Sequence, residues 1–285
     1  MLSSASRHRE SPEQGPMSNI LERTLGILEL LSQQGEGMEL ATLAERLNMP
    51  KSAAHRLLVD LVRMGYVRQP RELGEYHLTS KLISLGLTYL SKTGVVDIAQ
   101  PLIDRLAEQT GELVRLSVVD GDRLTWVARA QGARQGLRYD PDMGSIARLS
   151  CSSSGWAWLA TLPDDTALAM VAQQGLGLPQ EYGPNAPADL QAVLRVIQET
   201  RARGYSISEE TYTAGLNAMA TVVRLQGQGA MGTLSVAGPS ARLTRERMEA
   251  LGPALLECAA QLASASGASP LLTRNSAQAR PIYAE

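Results

Sequence analysis

Residues 39–66 read ELATLAERLNMPKSAAHRLLVDLVRMGY. Leu40, Leu43, Ala44 and Leu47 recur at i, i+3, i+4 and i+7, the step of an amphipathic helix, and Asn48, Met49 and Pro50 then break it. A second run keeps Ala54, Leu57, Leu58, Leu61 and Val62 on one face and leaves polar groups near its start on the other. Two short helices joined this tightly pack at a steep angle. The pattern predicts a helix-turn-helix whose second helix offers Lys51, Ser52, Ala53, His55 and Arg56 to base edges and phosphates. Gly65 ends that helix, Tyr66 and Val67 open a strand, and Arg71-Glu72-Leu73-Gly74-Glu75 turns into Tyr76-His77-Leu78. A hairpin directly behind a recognition helix is the wing of a winged helix, and it places Arg68 and Arg71 against the DNA backbone.

Apolar periodicity alone also fits a helical hairpin inside a larger helical core. Charge sorting separates the two readings. Between Arg46 and Arg71 six basic residues stand against one acid, Asp60, for a net +5, so the positive field is confined to the turn, the recognition helix and the base of the wing. The chain as a whole carries a formal charge of −2, which excludes a general polycation binder.

At 285 residues and 44% hydrophobic, the chain has room for two domains. No apolar run approaches the roughly 18–20 residues that span a bilayer, and the start MLSSASRHRESPEQGP lacks the apolar centre of a signal peptide. Two cysteines far apart, Cys151 and Cys258, fit a reducing compartment without a disulfide framework. The expectation is a cytoplasmic protein with no membrane contact.

Residues 1–16 are expected to form a disordered tail, residues 17–79 the winged helix-turn-helix domain, 80–94 a linker helix, 95–267 a second domain and 268–285 a second disordered tail. Asn19 or Ser18 caps a first helix that buries Ile20, Leu21, Leu25, Ile27, Leu28 and Leu31. The linker SKLISLGLTYLSKTG has two apolar stripes, Leu82, Leu85 and Tyr89 on one and Ile83, Leu87 and Leu90 on the other, which suits a helix that pairs two subunits. From Val95 helices and strands alternate. Asp97–Thr110 is helical, Leu113–Val119 and Arg123–Ala130 are strands around the turn Asp120-Gly121-Asp122, Pro187–Arg203 is helical, and strands follow near Tyr205–Ser208, Asn217–Leu225 and Ala230–Ala237. Thr244 caps a last helix that runs to about Ala263. The fold class is α+β.

The second domain has poor material for catalysis. All three histidines, His8, His55 and His77, precede residue 78, so a Ser-His or Cys-His pair is missing there and no metal or cofactor is expected. Adjacent Glu209 and Glu210 on a strand point to opposite faces. The serine run CSSSG (151–155) suits binding better: hydroxyls and free N–H groups at a helix start receive an anion, although the same serines serve as simple caps. Arg148 is placed as a bidentate carboxylate clamp, the alternative being a solvated loop residue. Leu149, Met219 and Trp126 are expected as apolar walls, and Cys151 as a small soft surface among the serines.

Five landmarks in order, LERTLGILELL, LAERLNMPKSAAHRLLVDLVRMGY, SSSGWAWLA, RARGYSISEE…AGL and GTLSVAGPSARLTRERMEALGPALL, give a chain that resembles the IclR family of bacterial transcription regulators over roughly Asn19 to Ser266. The resemblance implies a GAF-like effector-binding domain, a homodimer that pairs into a dimer of dimers, a double-stranded DNA operator, and control of catabolic genes by small organic or aromatic acids. Carried over by position, it implies an effector site at Ser153, Ser154, Ser208, Ala218, Ser235 and Ala237, which Arg148 and Ser150 join from the serine-run reading. The chain departs from the family in having Arg148-Leu149-Ser150 where many members have Pro-Leu-His, and Ala220-Thr221-Val222-Val223 where many have an AAPV-like stretch. A metabolite-binding protein with a vestigial DNA-binding domain is the alternative.

Overall fold

The computed structural model describes residues 19–70, 74–139, 144–177 and 180–266. Both expected tails, and Arg71 of the wing, lie outside the described residues. The chain divides into two compact units with the boundary between Tyr89 and Leu90.

In the first unit α1 (Ile20–Ser32) starts with a capping box: Leu21 N–H donates to the Asn19 side chain and Asn19 N–H to the Glu22 carboxylate. Only Gly26, Ile27 and Leu31 of α1 are buried. Ile20, Leu21 and Leu25, read above as core, are exposed: Leu21 and Leu25 point away from the face of Ile27 and Leu31, and Ile20, although in line with that face, is the first residue of the helix. The helices α2 (Leu40–Arg46) and α3 (Lys51–Arg63) are joined through Asn48 in the left-handed region (φ +46°), a conformation Asn adopts more readily than other side-chain-bearing residues. Ala54, Leu58 and Leu61 of α3 are buried with Leu43, Ala44 and Ile27, while Val62, expected inside, is exposed. The wing is an antiparallel pair, β1 (Val67–Arg68) and β2 (His77–Leu78), extended by a bridge between Met38 and Tyr76. Helix α4 (Ser80–Thr93) is tied at its start to this unit, where Lys81 Nζ donates to the Met64 carbonyl and lies 4.5 Å from the Tyr66 ring centre.

Gly94 (φ +61°) ends α4 and begins α5 (Val95–Thr110). The strands β3 (Leu113–Asp120), β4 (Arg123–Gln131), β5 (Ser206–Glu209), β6 (Leu216–Val223) and β7 (Gly232–Pro239) form one antiparallel sheet ordered β4-β3-β7-β6-β5. Between β3 and β7 come α6 (Ser153–Leu159), α7 (Asp164–Gln174) and α8 (Leu190–Arg203); α9 (Arg245–Ala265) follows. Sequence periodicity does not announce α7, since it buries only Ala167 and Val171.

Strand alternation gives the sheet two different faces. One carries Val114, Leu116, Ile207, Met219, Leu234 and Val236 and packs on α5 and α9. The opposite face is small and polar: Ser208 pairs with Ala218 and Ala218 with Ala237, while Ser206, Ala220, Ser235 and Arg115 form the next row. Small side chains let α6 lie close on this face, where Ser206 Oγ donates to the Ser153 carbonyl at 2.8 Å.

A β-bulge at Leu116/Ser117 breaks the register of β3 with β4, so that Leu116 faces Ala128 but Ser117 faces Trp126. Leu124, Trp126, Ala128 and Ala130 alternate without interruption in sequence, yet the bulge divides them. Ala128 and Ala130 join the α5 and α9 side, and Leu124 and Trp126 join the other.

Candidate DNA interface and effector cavity

Recognition-helix residues Lys51, Ser52, His55 and Arg56 are exposed, Ala53 is half-buried, and Arg68 is exposed on the wing. The alternation follows from Ala54, Leu58 and Leu61 anchoring the other side of α3. Farther along, Arg63 is engaged by Asp60 at 2.9 Å on the same helix, which leaves the start of α3 as the more open part of the positive field.

In the second unit a cavity of about 380 Å³, counted with its open mouth, lies between the polar face of the sheet and the start of α6. Ser152, Ser153 and Ser154 line it from the α6 side, and Ser208, Ala218 and Ala237 from the sheet. Trp126, Tyr139, Tyr212 and Leu216 supply the larger surfaces, Thr213 and Asn217 add polar groups, and Arg115 is the charged residue among the described lining. Of the residues named from sequence, the structure therefore brings together Ser153, Ser154, Ser208, Ala218 and Ala237.

Arg148 and Ser150 are placed elsewhere, and Ser235, although on the polar face opposite Arg115 in the strand register, is not among the described lining. Arg148 Nη1 donates to the Gln174 carbonyl (2.6 Å) and Nε to the Tyr182 hydroxyl (2.8 Å), so its guanidinium latches the loop before α6 to the end of α7 and is no ligand clamp. Ser150 Oγ donates to the Leu176 carbonyl in the same latch. Ser235 turns its hydroxyl to the Arg115 carbonyl at 3.4 Å. Leu149 packs in the core beneath α6 to α8, and Met219 faces α5 and α9 on the far side of the sheet, so neither is a cavity wall. Cys151 does not line the cavity either. Burial pushes its thiol up to about 12, against the opposing effects of the Ser150 hydrogen bond and the Arg148 charge, which makes it a poor nucleophile. Trp156, whose Nε1 donates to the Ser150 carbonyl, is core.

The serines divide their work. Ser152 caps α6, accepting from Gly155 N–H at 3.0 Å and donating to the Arg148 carbonyl. The hydroxyls of Ser153 and Ser154 hydrogen-bond to no described residue. Ser208 Oγ and Thr211 Oγ1 share a hydrogen bond, and Thr211 donates onward to the Cys151 carbonyl.

Sequence reasoning missed Arg115. It is 6% exposed, its guanidinium carbon lies 3.9 Å from the Trp126 ring centre and 5.7 Å from that of Tyr139, and its Nε has no hydrogen-bond partner; nor has Trp126 Nε1. Burial lowers the guanidinium from its ordinary pKa, against the pull of the Tyr139 and Tyr212 oxygens. Taking such a cation out of water costs several kcal/mol, of which a desolvated cation–π contact returns about 2 kcal/mol. The signal that could have found it is a single cation inside the otherwise uncharged run LVRLSVV. Burial raises the Tyr212 phenol, with Tyr139, Tyr182 and Cys151 adding to the shift and Arg115 opposing it. By contrast, the buried Glu112 is held by Arg242 through two contacts of 2.7 Å and by Arg247 at 3.6 Å, a satisfied structural cluster.

The profile described as the IclR helix-turn-helix domain matches residues 20–71, and that described as the bacterial transcriptional regulator IclR C-terminal domain matches 87–264. The chain is 28% identical over 262 residues to the HTH-type transcriptional repressor AllR of Klebsiella pneumoniae, covering 92% of this chain and 95% of that protein. It is 27% identical over 247 residues to AllR of Escherichia coli K12, covering 87% and 90%. Among solved structures, an IclR transcriptional regulator from Alicyclobacillus acidocaldarius superposes with a TM-score of 0.75 at 27% identity, covering 90% of this chain and all of that one. An IclR homologue from Microbacterium hydrocarbonoxydans, solved with 4-hydroxybenzoate, has the same fold, with a TM-score of 0.72 at 21% identity over 88% of this chain and all of that one.

Proposed function

We propose for this chain, which belongs to the IclR family of bacterial transcriptional regulators, the role of a sequence-specific DNA-binding regulator whose operator affinity responds to a small organic acid. The observation that carries the reading is the sorting of α3, with Ala54, Leu58 and Leu61 inside and Lys51, Ser52, His55 and Arg56 open to an incoming duplex. On this reading residues 17–79 read DNA, 80–94 link, and 95–267 sense. Lys51, Ser52, Ala53, His55 and Arg56 face the major groove while Arg68 and Arg71 meet phosphates. Ser153, Ser154, Ser208, Ala218 and Ala237 surround the effector, joined by Arg115 and Trp126.

The uncharged hydroxyl-rich lining, with one cation and no described acid, favours an anionic guest, and the 4-hydroxybenzoate bound by the Microbacterium homologue supports an organic acid as its class. Ligand and DNA then bias each other through linkage. The relatives named as repressors support repression as the direction of control. Exposed Ile83, Leu85, Leu87 and Tyr89 on α4 favour a homodimer that presents two winged domains to a roughly palindromic site, with further pairing of dimers, in the cytoplasm where the DNA is. Among the described residues no single helix is long and apolar enough to cross a membrane.

A gel-shift of the full chain on the DNA upstream of its own gene and its neighbours, with and without a panel of organic acids, tests the reading. A specific shift that an acid alters supports it; the same affinity for every DNA, unaffected by acids, overturns it.

A further inference from the structure

Among the described residues the cavity of the second unit carries an unbalanced charge. Arg115 is the one charged group of its described lining, and no described carboxylate pairs with it. A guanidinium keeps its proton at neutral pH, so it does not escape burial by becoming neutral. The faces of Trp126 and Tyr139 and the Tyr212 phenol surround it. None of these supplies the coplanar pair of oxygens that the guanidinium fork matches. Arg115 Nε is unpartnered, and so is the indole Nε1 of Trp126, the ring on which Arg115 stacks. Folded interiors leave very few buried donors unsatisfied. Two on stacked side chains at the edge of a cavity mark the place where an acceptor-bearing guest completes the set.

We infer that Arg115 is the charge receptor of the effector site: a ligand carboxylate docks on its Nε edge and a ligand oxygen accepts from Trp126 Nε1, so that an acid is taken and its neutral amide refused. The inference rests on reading the second unit as the effector domain and names the group that sets its specificity. The hydroxyls of Ser153 and Ser154, which line the same cavity and hydrogen-bond to no described residue, receive any further oxygen the acid carries. A second consequence follows from a buried charge that the Tyr139 and Tyr212 phenols support but no described carboxylate balances. With the site empty, Arg115 destabilises the fold, because a buried ion without its partner is worse than an apolar side chain of similar volume. Its replacement by Met therefore stabilises the ligand-free protein while removing acid binding. An arginine kept only for structure behaves in the opposite way.

The test uses the full-length wild type with R115M, R115K and W126F, and measures melting temperature alone and with millimolar glycolate, lactate, benzoate and 4-hydroxybenzoate, each paired with its amide. The expected result is a rise for at least one acid and none for its amide, through preferential binding to the folded state. R115M melts at or above the wild type without ligand and loses the acid response. R115K, which keeps the charge but not the fork, and W126F, which keeps the ring but not the donor, bind the acid roughly tenfold more weakly. An acid response retained in R115M, an equal response to acid and amide, no acid response in the wild type, or R115M melting well below the wild type each overturns the inference. Should R115M fail to fold by circular dichroism, its structural role is shown and the inference falls, unless R115K folds and loses acid binding selectively. A ligand that alters operator affinity but is indifferent to Arg115 refutes this inference and leaves the regulator reading intact, whereas a chain without specific DNA binding refutes the regulator reading and leaves the acid–amide contrast standing.

Discussion

The guanidinium carbon of Arg115 lies 3.9 Å from the ring centre of Trp126, although the two residues sit on neighbouring strands whose register is broken between them. The bulge at Leu116/Ser117 turns Trp126 onto the face that Arg115 occupies. In an unbroken ladder Val127 would stand there and the indole would point into the α5 and α9 layer. The indole against which the cavity's charge stacks thus depends on one extra residue in β4.

Removing one donor from the recognition helix should weaken DNA binding without touching the fold. Arg56→Ala should lower operator affinity by about 1–3 kcal/mol if it reads a guanine, Lys51→Ala on the same groove-facing side should weaken it as well, and Arg68→Ala should reduce the salt dependence by roughly one phosphate contact. Titrations at several salt concentrations check all three, and unchanged affinity in the Lys51→Ala, Arg56→Ala double variant would displace the interface from α3.

The exposed stripe of α4 should hold subunits together. Leu87→Glu, at a position 61% exposed in the single chain, should shift the sedimenting species toward monomer and reduce operator affinity, with the melting of the second unit preserved. A wild type that sediments as a monomer at micromolar concentration would contradict the pairing.

Arg148→Ala should act on stability before it acts on ligand. It strips donors from the Gln174 carbonyl and the Tyr182 hydroxyl, for a loss of about 1–3 kcal/mol in denaturant unfolding. Full stability combined with lost acid binding would restore the clamp role that the structure removes from this residue.

Arg242→Ala should destabilise by about 2–3 kcal/mol, less than a fully buried pair because the arginine is partly solvated while Glu112 is 1% exposed. Gly238 is confined by the same cluster, since a Cβ there would run into the Glu112 carboxylate, so Gly238→Ala should also lower the melting temperature. Thermal melts of the two variants and their combination measure the coupling.

Alkaline pH should expose the buried thiols energetically. Folding raises the thiol of Cys151 to about 12 and of Cys258 to about 11, chiefly by burial. Between pH 9 and 11 the unfolded chain has released these protons and the folded chain retains them, so stability falls as pH rises, by ~1.4 kcal/mol per pH unit for each thiol. The Cys151→Ala variant should lose stability less steeply than the wild type over that window. Parallel slopes for the two proteins would show that Cys151 does not contribute.

Much of the first unit is legible locally. Apolar steps of three and four mark α2 and α3 and Asn19 caps α1; in the second unit Ser152 and Thr244 are likewise caps that hydrogen-bond within a few residues of themselves. α1 was less legible because six apolar residues cover more than one helix face and periodicity does not say which face finds a partner. The serine run and the strand positions Ser208, Ala218 and Ala237 mark the cavity through their family pattern, whereas Arg148 looked like a free cation because its partners, Gln174 and Tyr182, are 26 and 34 residues away.

The sequence by itself determined the order of helices and strands apart from α7, the positive start of the recognition helix and the small polar row of the sheet, since propensity, capping and charge act over a few residues. Only the tertiary structure decided which cation faces the cavity. Arg115 and Trp126 meet through a bulge that leaves no local signature, and Arg148 is taken out of play by a distant loop; burial and pairing across the chain, not residue type, set those roles.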